Sequence, residues 1–154
     1  MRRKAQQLTK EECVEILRSQ KRGVLSVMGE DEYPYGLPID FYYDETENAL
    51  YFHCAKEGHK NDAIAKHDKA SFCVLNDGEK SEEEWFLRFK SVVAFGRASF
   101  VEEEEKKKEI CYALAKKFGQ NEEYAEREWE KFNTRVACLV LRIEHMTGKS
   151  VKEE

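Results

Sequence analysis

The sequence predicts an α+β fold in which a six-stranded antiparallel, barrel-like sheet carries peripheral helices. Three observations predict it. Six short β-type runs are separated by polar loops of hairpin length or by single helices. The strand–helix–strand rhythm of a parallel sheet is missing. The longest run, Arg88 to Val101, contains Gly96, and a glycine inside a strand marks a bend or a close backbone approach such as a barrel corner.

Taken in order, Thr9 followed three residues later by Glu12 reads as a capping box, so a helix starts there. Cys13, Ile16 and Leu17 give that helix an apolar stripe. Gly23 marks its exit, after Lys21 and Arg22 in a last turn where positive charge is favourable. Val24 to Met28 is the first strand, and the polar Gly29 to Glu32 is a hairpin loop into the second, Tyr33 to Tyr43. A further loop, Asp44 to Asn48, leads into Ala49 to Cys54, giving three successive antiparallel strands. Asn61 to Lys66 reads as helix, Ala70 to Leu75 as strand, and Asn76 to Ser81 as a mobile loop before the long Gly96 strand.

Glu102 to Phe118 is the next helix, with Glu102/Lys106, Glu103/Lys107 and Glu104/Lys108 at i,i+4 spacing on a solvated face. Ile110, Leu114 and Phe118 form its inward stripe. A helix near Glu122 to Phe132 uses Ala125, Trp129 and Phe132 in the same way. Ala137 to Ile143, almost continuously apolar, is a buried final strand.

A chain of 154 residues fits one domain, 1–154, and is long enough to bury a core without disulfides or metals. Hydrophobic residues make up 41% and charged residues 37%, with a net charge of -5. That balance argues against nucleic-acid binding, which asks for a positive excess on one face. No apolar run approaches the roughly eighteen residues of a membrane span, and no apolar stretch follows the basic Met1 to Gln7 segment, so a soluble, cytoplasmic protein is expected. The five cysteines, Cys13, Cys54, Cys73, Cys111 and Cys138, show no C-x-x-C spacing, and only Cys54 has an adjacent histidine, His53. Buried reduced thiols are expected rather than a zinc site or a disulfide framework.

Three segments carry candidate chemistry. Tyr51 to Lys60 leaves a strand and opens a helix. Free amides at the helix start, close approach at Gly58 and the charge of Lys60 would suit a terminal phosphate, although a solvated loop has the same composition. Pro38 cannot donate to a ladder, so Tyr33 to Phe41 contains either an ordinary edge or bulge or the wall of a ligand site. Ser91 offers a hydroxyl, and Arg88, Lys90 and Arg97 offer charge, to a ligand lying along their strand; otherwise they form an outward face. Trp85 and Trp129 read as core or interface aromatics, and His67 and His145 as surface or structural residues.

The segments YPYGLPIDFYYD, LYFHCAKEGHKNDAI and SVVAFGRASF, in this order, resemble the FMN-binding split-barrel superfamily of pyridoxamine 5′-phosphate oxidase-like proteins, in particular its nitroimidazole-resistance (Nim-type) branch. The resemblance covers nearly the whole chain. It implies a split β-barrel, FMN as cofactor, no metal, and a homodimer with the flavin at its interface. It implies that the backbone of Pro38, Ile39, Asp40 and Phe41 lies against the flavin ring, with Phe52 and His53 beside it. Gly58, His59 and Lys60 would hold the phosphate, with Ser91 and Val92 along the ribityl-phosphate side. In pyridoxamine 5′-phosphate oxidases the turn reads more like Ser-Arg-Lys, so His59 puts a titratable group where a fixed charge stands. Those oxidases also carry a C-terminal Arg/His segment that this sequence lacks after His145, which disfavours pyridoxal phosphate synthesis.

The expected function is an oxidoreductase passing electrons from a reduced small-molecule donor to a small electron-poor acceptor, nitro compounds included. His53 is the one candidate catalytic residue. The alternatives are a non-catalytic flavin or haem binder or sensor on the same barrel, and an interaction module using the charged helices.

Overall fold

The computed structural model describes residues 4–80, 82–83 and 85–151. Met1 to Arg3, Ser81 at the end of the expected loop, and Lys152 to Glu154 lie outside the described residues. Four α-helices and seven strands are arranged as α1 (Lys10–Ser19), β1 (Arg22–Met28), β2 (Pro34–Asp40), β3 (Tyr42–Asp44), β4 (Ala49–Ala55), α2 (His59–Lys66), β5 (Lys69–Leu75), β6 (Phe89–Phe100), α3 (Glu104–Lys117), α4 (Glu122–Phe132) and β7 (Val136–Val151). The strands form one antiparallel sheet in the order β2-β1-β5-β6-β7-β4-β3. Its two edge strands, β2 and β3, are consecutive in sequence and separated only by Phe41. The sheet must therefore curl until its edges meet at that residue, an arrangement consistent with a split barrel.

The seventh strand corrects the expected six: the run Tyr33 to Tyr43 is two strands. Phe41 is fully buried and packs edge-to-face on Phe72 at 4.8 Å, and Phe72 meets Phe52 at 5.2 Å. Burying such a ring contributes about 1.5–3 kcal/mol, enough to hold the strand break in place. Gly96 is the barrel corner that the sequence implied. The β6–β7 register shifts between Phe95 and Gly96, and a Cβ on Gly96 would stand 1.9 Å from the Arg142 carbonyl oxygen.

The capping box is present: the Glu12 amide donates to Thr9 Oγ1 at 3.2 Å and the Thr9 amide to Glu12 Oε2 at 2.9 Å. Helix α1 ends at Ser19, however, so Lys21 and Arg22 lie beyond its last turn and Gly23 belongs to β1. A Cβ on Gly23 would meet the Phe72 ring at 2.4 Å, so close packing across the sheet requires this glycine.

The charge run of α3 also departs from expectation. The helix begins at Glu104, and its lysines reach other partners: Lys106 pairs with Glu47 at 2.6 Å, Lys107 with Glu104 at 2.7 Å, and Lys108 with Glu126 of α4 at 3.0 Å. These residues line seams of α3 instead of a uniformly solvated face. Strand β7 runs on to Val151, eight residues past the expected end, with Gly148 accepting the Leu8 amide. Trp85 is 85% exposed, so it is not core. On the outer face of β1, β5 and β6, Val24, Leu75 and Phe95 are exposed, with Phe95 stacked on His145 at 4.7 Å.

Candidate functional site

Strand β3 pairs with β4 only over Ala49 to Tyr51. Beyond Phe41 the chain has already crossed to the other edge, so among the described residues no ladder joins β2 to the second half of β4. The free edge of β2 faces that opening. Helix α2 closes one end of it: the ring of His59 meets that of Tyr35 edge-on at 4.6 Å, near the start of β2. At the far end of β2, Asp40 shares the wall of a cavity with His53 of β4. Asp40 lies five residue steps along the strand from Tyr35, about 17 Å, which suits an extended, nucleotide-sized ligand.

The turn into α2 follows from its sequence. Gly58 is the N-cap with φ 137°, a left-handed conformation that an L side chain resists, and a Cβ there would meet nothing within 4 Å, leaving the turn open. Its carbonyl accepts from the Asn61 amide at 2.8 Å and the Asp62 amide at 3.2 Å. The amides of His59 and Lys60 are among those that a helix start cannot satisfy internally. Asn61, the buried polar residue of the core, donates Nδ2 to the Ala55 carbonyl at 2.9 Å and so locks α2 to the end of β4. Lys60 lies close enough to Cys54 for its charge to favour the thiolate, although burial dominates and pushes the Cys54 thiol up.

The cavity, about 500 Å³, lies between the barrel and helices α3 and α4. Phe118, Tyr124, Trp129 and Phe132 supply its aromatic surface. Phe118 and Phe132, expected on inward stripes, are 38% and 46% exposed and face this space instead of the core. Asp40 is held by Arg22 through Nε at 2.6 Å and Nη2 at 3.3 Å. Partial burial against the cavity wall lowers the His53 pKa, against the opposing pull of the Asp40 charge.

Of the residues expected at the site, Asp40 and His53 meet at the cavity, and Gly58, His59 and Lys60 form the turn at the other end of the β2 edge. Pro38 and Ile39 lie on that edge, paired with Val24 and Gly23. The side chains of Phe41, Phe52 and Val92 point into the core, so only their backbone is open to a ligand. Ser91 is not brought to the turn within one protomer. It pairs with Lys149 on β7, whereas Ala55, just before the turn, pairs with Val136, thirteen residues away along the same strand. Sequence reasoning missed Tyr35, Asn61 and Cys111. The one available signal was the density of aromatic residues on two adjacent helices, which exceeds what two inward stripes need.

A curled antiparallel sheet with a free edge, an open helix start and a helix-walled cavity defines a ligand-binding barrel. The family described as pyridoxamine 5′-phosphate oxidase matches residues 9–150, and the chain belongs to it. No curated protein matches. Solved structures of similar fold include a candidate 5-nitroimidazole antibiotic resistance protein from Bacteroides thetaiotaomicron, at 18% identity and TM-score 0.78 over 94% of this chain and 86% of that one. Another is an FAD-binding protein from Mesorhizobium loti, at 17% identity and TM-score 0.70 over 95% and 97%. A third is an FAD and haem binding protein from Mycobacterium smegmatis, at 19% identity and TM-score 0.74 over 96% and 74%. No helix among the described residues is long and apolar enough to cross a membrane.

Proposed function

We propose that this chain is an FMN-binding oxidoreductase, a cytoplasmic homodimer that passes electrons from a reduced nicotinamide or similar donor to a small electron-poor acceptor, nitro compounds among them. One observation carries the reading: the free β2 edge connects the open, cationic start of α2 to the aromatic cavity at Asp40 and His53. The residues fit the group. Amides of His59 and Lys60, with the Lys60 ammonium, suit a phosphate dianion; backbone along Pro38 to Phe41 suits the polar edge of a planar ring; the cavity suits a stacked second reactant. Membership of the family and the flavin named for the M. loti and M. smegmatis proteins support the same class. The candidate resistance protein supports nitro compounds as acceptors.

Bound FMN supplies the redox chemistry. The chain's own residues position and desolvate. His53 offers its imidazole nitrogens at the cavity wall, so it orients a reactant and holds or releases a proton there. The Arg22–Asp40 pair fixes the carboxylate beside it. Ser91 sits on the same outward side of the sheet as Val24, Leu75 and Phe95, with the Val92 backbone next to it. When a second copy covers that face, Ser91 of the partner subunit takes its place along the ribityl-phosphate side, which one protomer does not provide. Dimers closed by a two-fold axis are the commonest soluble oligomers.

A non-catalytic flavin or haem binder is the second reading, favoured by the His53 imidazole at the cavity wall, a side chain that also ligates haem iron. The purified protein's visible spectrum, followed by thermal release and chromatography of the cofactor, tests both. One FMN per chain, bleached by reduced nicotinamide, is expected. FAD, or a colourless protein that cannot be reconstituted with FMN, overturns the proposal, and a haem band with no flavin establishes the second reading.

A further inference from the structure

Beside the cavity lies a pair of cysteines to which neither the fold nor the proposed flavin chemistry gives a task. Cys111 is on α3, half-buried, and lines the cavity. Cys138 is on β7, 1% exposed, in a small second core with Ile110, Leu114 and Val140, against which Cys111 also packs. Its sulfur lies 3.9 Å from the Lys107 carbonyl, one turn before Cys111 on the same helix face. We propose that Cys111 and Cys138 form a reversible, peroxide-sensitive dithiol–disulfide pair. Cys111 is the residue attacked through the cavity, and Cys138 is the resolving partner behind it.

The local chemistry suits those roles. Hydrogen bonding from Cys138 stabilises negative charge on the Cys111 sulfur and lowers its pKa against the effect of burial, while Cys138 is held protonated. The thiolate of Cys111 attacks the terminal oxygen of a hydroperoxide. The O–O bond breaks, the alkoxide leaves and takes up a proton, and Cys111 becomes a sulfenic acid. The sulfur of Cys138 then attacks that of Cys111, the S–O bond breaks, and the proton from Cys138 leaves with the oxygen as water. Two thiols and one hydroperoxide thus give one disulfide, one alcohol and one water; an external dithiol reverses the change. The bond would tie α3 to the barrel one turn before Leu114 and Ala115, which form part of the cavity wall.

The test treats the purified holoprotein with hydrogen peroxide, removes the excess, counts thiols after denaturation, and maps peptides without reduction. The thiol count should fall by two from five per chain, with one intramolecular link joining the Cys111 and Cys138 peptides, and dithiothreitol should restore it. In C138S, Cys111 should be trapped by dimedone as the sulfenic acid; in C111S, Cys138 should stay reduced. A full count of thiols after peroxide overturns the proposal, as does a link through Cys54 or between subunits. If C138S does not fold, the wild-type peptide map decides alone. The readout is independent of which cofactor the protein carries.

Discussion

The ammonium of Lys117 stands 3.7 Å above the ring of Phe41 and donates to that residue's carbonyl oxygen at 3.1 Å. It also donates, at 3.1 Å, to the Leu17 carbonyl in the last turn of α1, where helix carbonyls have no internal partner. One side chain of α3 thereby ties together the end of α1 and the break between the two edge strands. Replacing Lys117 with Met keeps the bulk and removes both bonds, leaving two carbonyls short of a donor. A loss of about 1–3 kcal/mol is expected, read as a lower denaturant midpoint at unchanged slope.

The same residue gives a pH signature. Burial pushes the Lys117 pKa down from its ordinary 10.5 to about 8, opposed by the Asp40 charge. Between those values the unfolded chain holds a proton that the folded chain has released, so this group's contribution to stability rises as pH increases from about 8 to 10.5. Over that window wild type should gain stability relative to K117M, so the two curves should diverge. Curves that stay parallel would show that Lys117 does not titrate there.

Lys60→Ala tests the anion site. A charge-assisted bond contributes roughly 1.5–3 kcal/mol, so FMN binding to apoprotein should weaken by about tenfold to a hundredfold at about 1.4 kcal/mol per factor of ten. Riboflavin, without the phosphate, should bind almost as before. Titration of both ligands by flavin fluorescence quenching separates a phosphate contact from damage to the fold, because equal losses would mean the latter.

Gly96→Ala places a methyl group where the backbone of β7 already passes, 1.9 Å from Arg142 O. The strands must part or the register must slip. Destabilisation of at least about 2 kcal/mol is expected, within the range of overpacked cores, and thermal unfolding by circular dichroism measures it.

Phe95→Glu puts a charge in the middle of the exposed face of β1, β5 and β6. Light scattering should report a dimer for wild type and a monomer for the variant, with far-ultraviolet circular dichroism unchanged. A wild-type monomer would remove the basis for placing Ser91 of the partner subunit at the cleft.

What the sequence made legible was local. Thr9 and Glu12 cap a helix wherever that helix sits, and Gly96 bends a strand whichever strand lies beside it. Choices between distant partners left no such trace. Pro38 marks an edge or bulge within Tyr33 to Tyr43, yet nothing in the run says that the chain changes edges at Phe41, because β-forming residues stand on both sides of it. Lys106, Lys107 and Lys108 satisfy a spacing rule within α3, yet two of them bond to other elements that lie within reach only after folding. Motif order along the chain likewise does not reveal that Ser91 and Ala55, the residue before the Lys60 turn, pair with β7 thirteen residues apart.

Because β2 and β3 share no ladder, the two edges of the sheet are joined at Phe41 by the covalent chain and not by strand pairing. A single cut of the backbone between Asp40 and Tyr42 would break none of the registered strand pairs and would still turn a closed wall into a sheet with two free margins. A nick at this joint therefore separates edge continuity from strand pairing: every ladder is kept while the link between the two margins is lost.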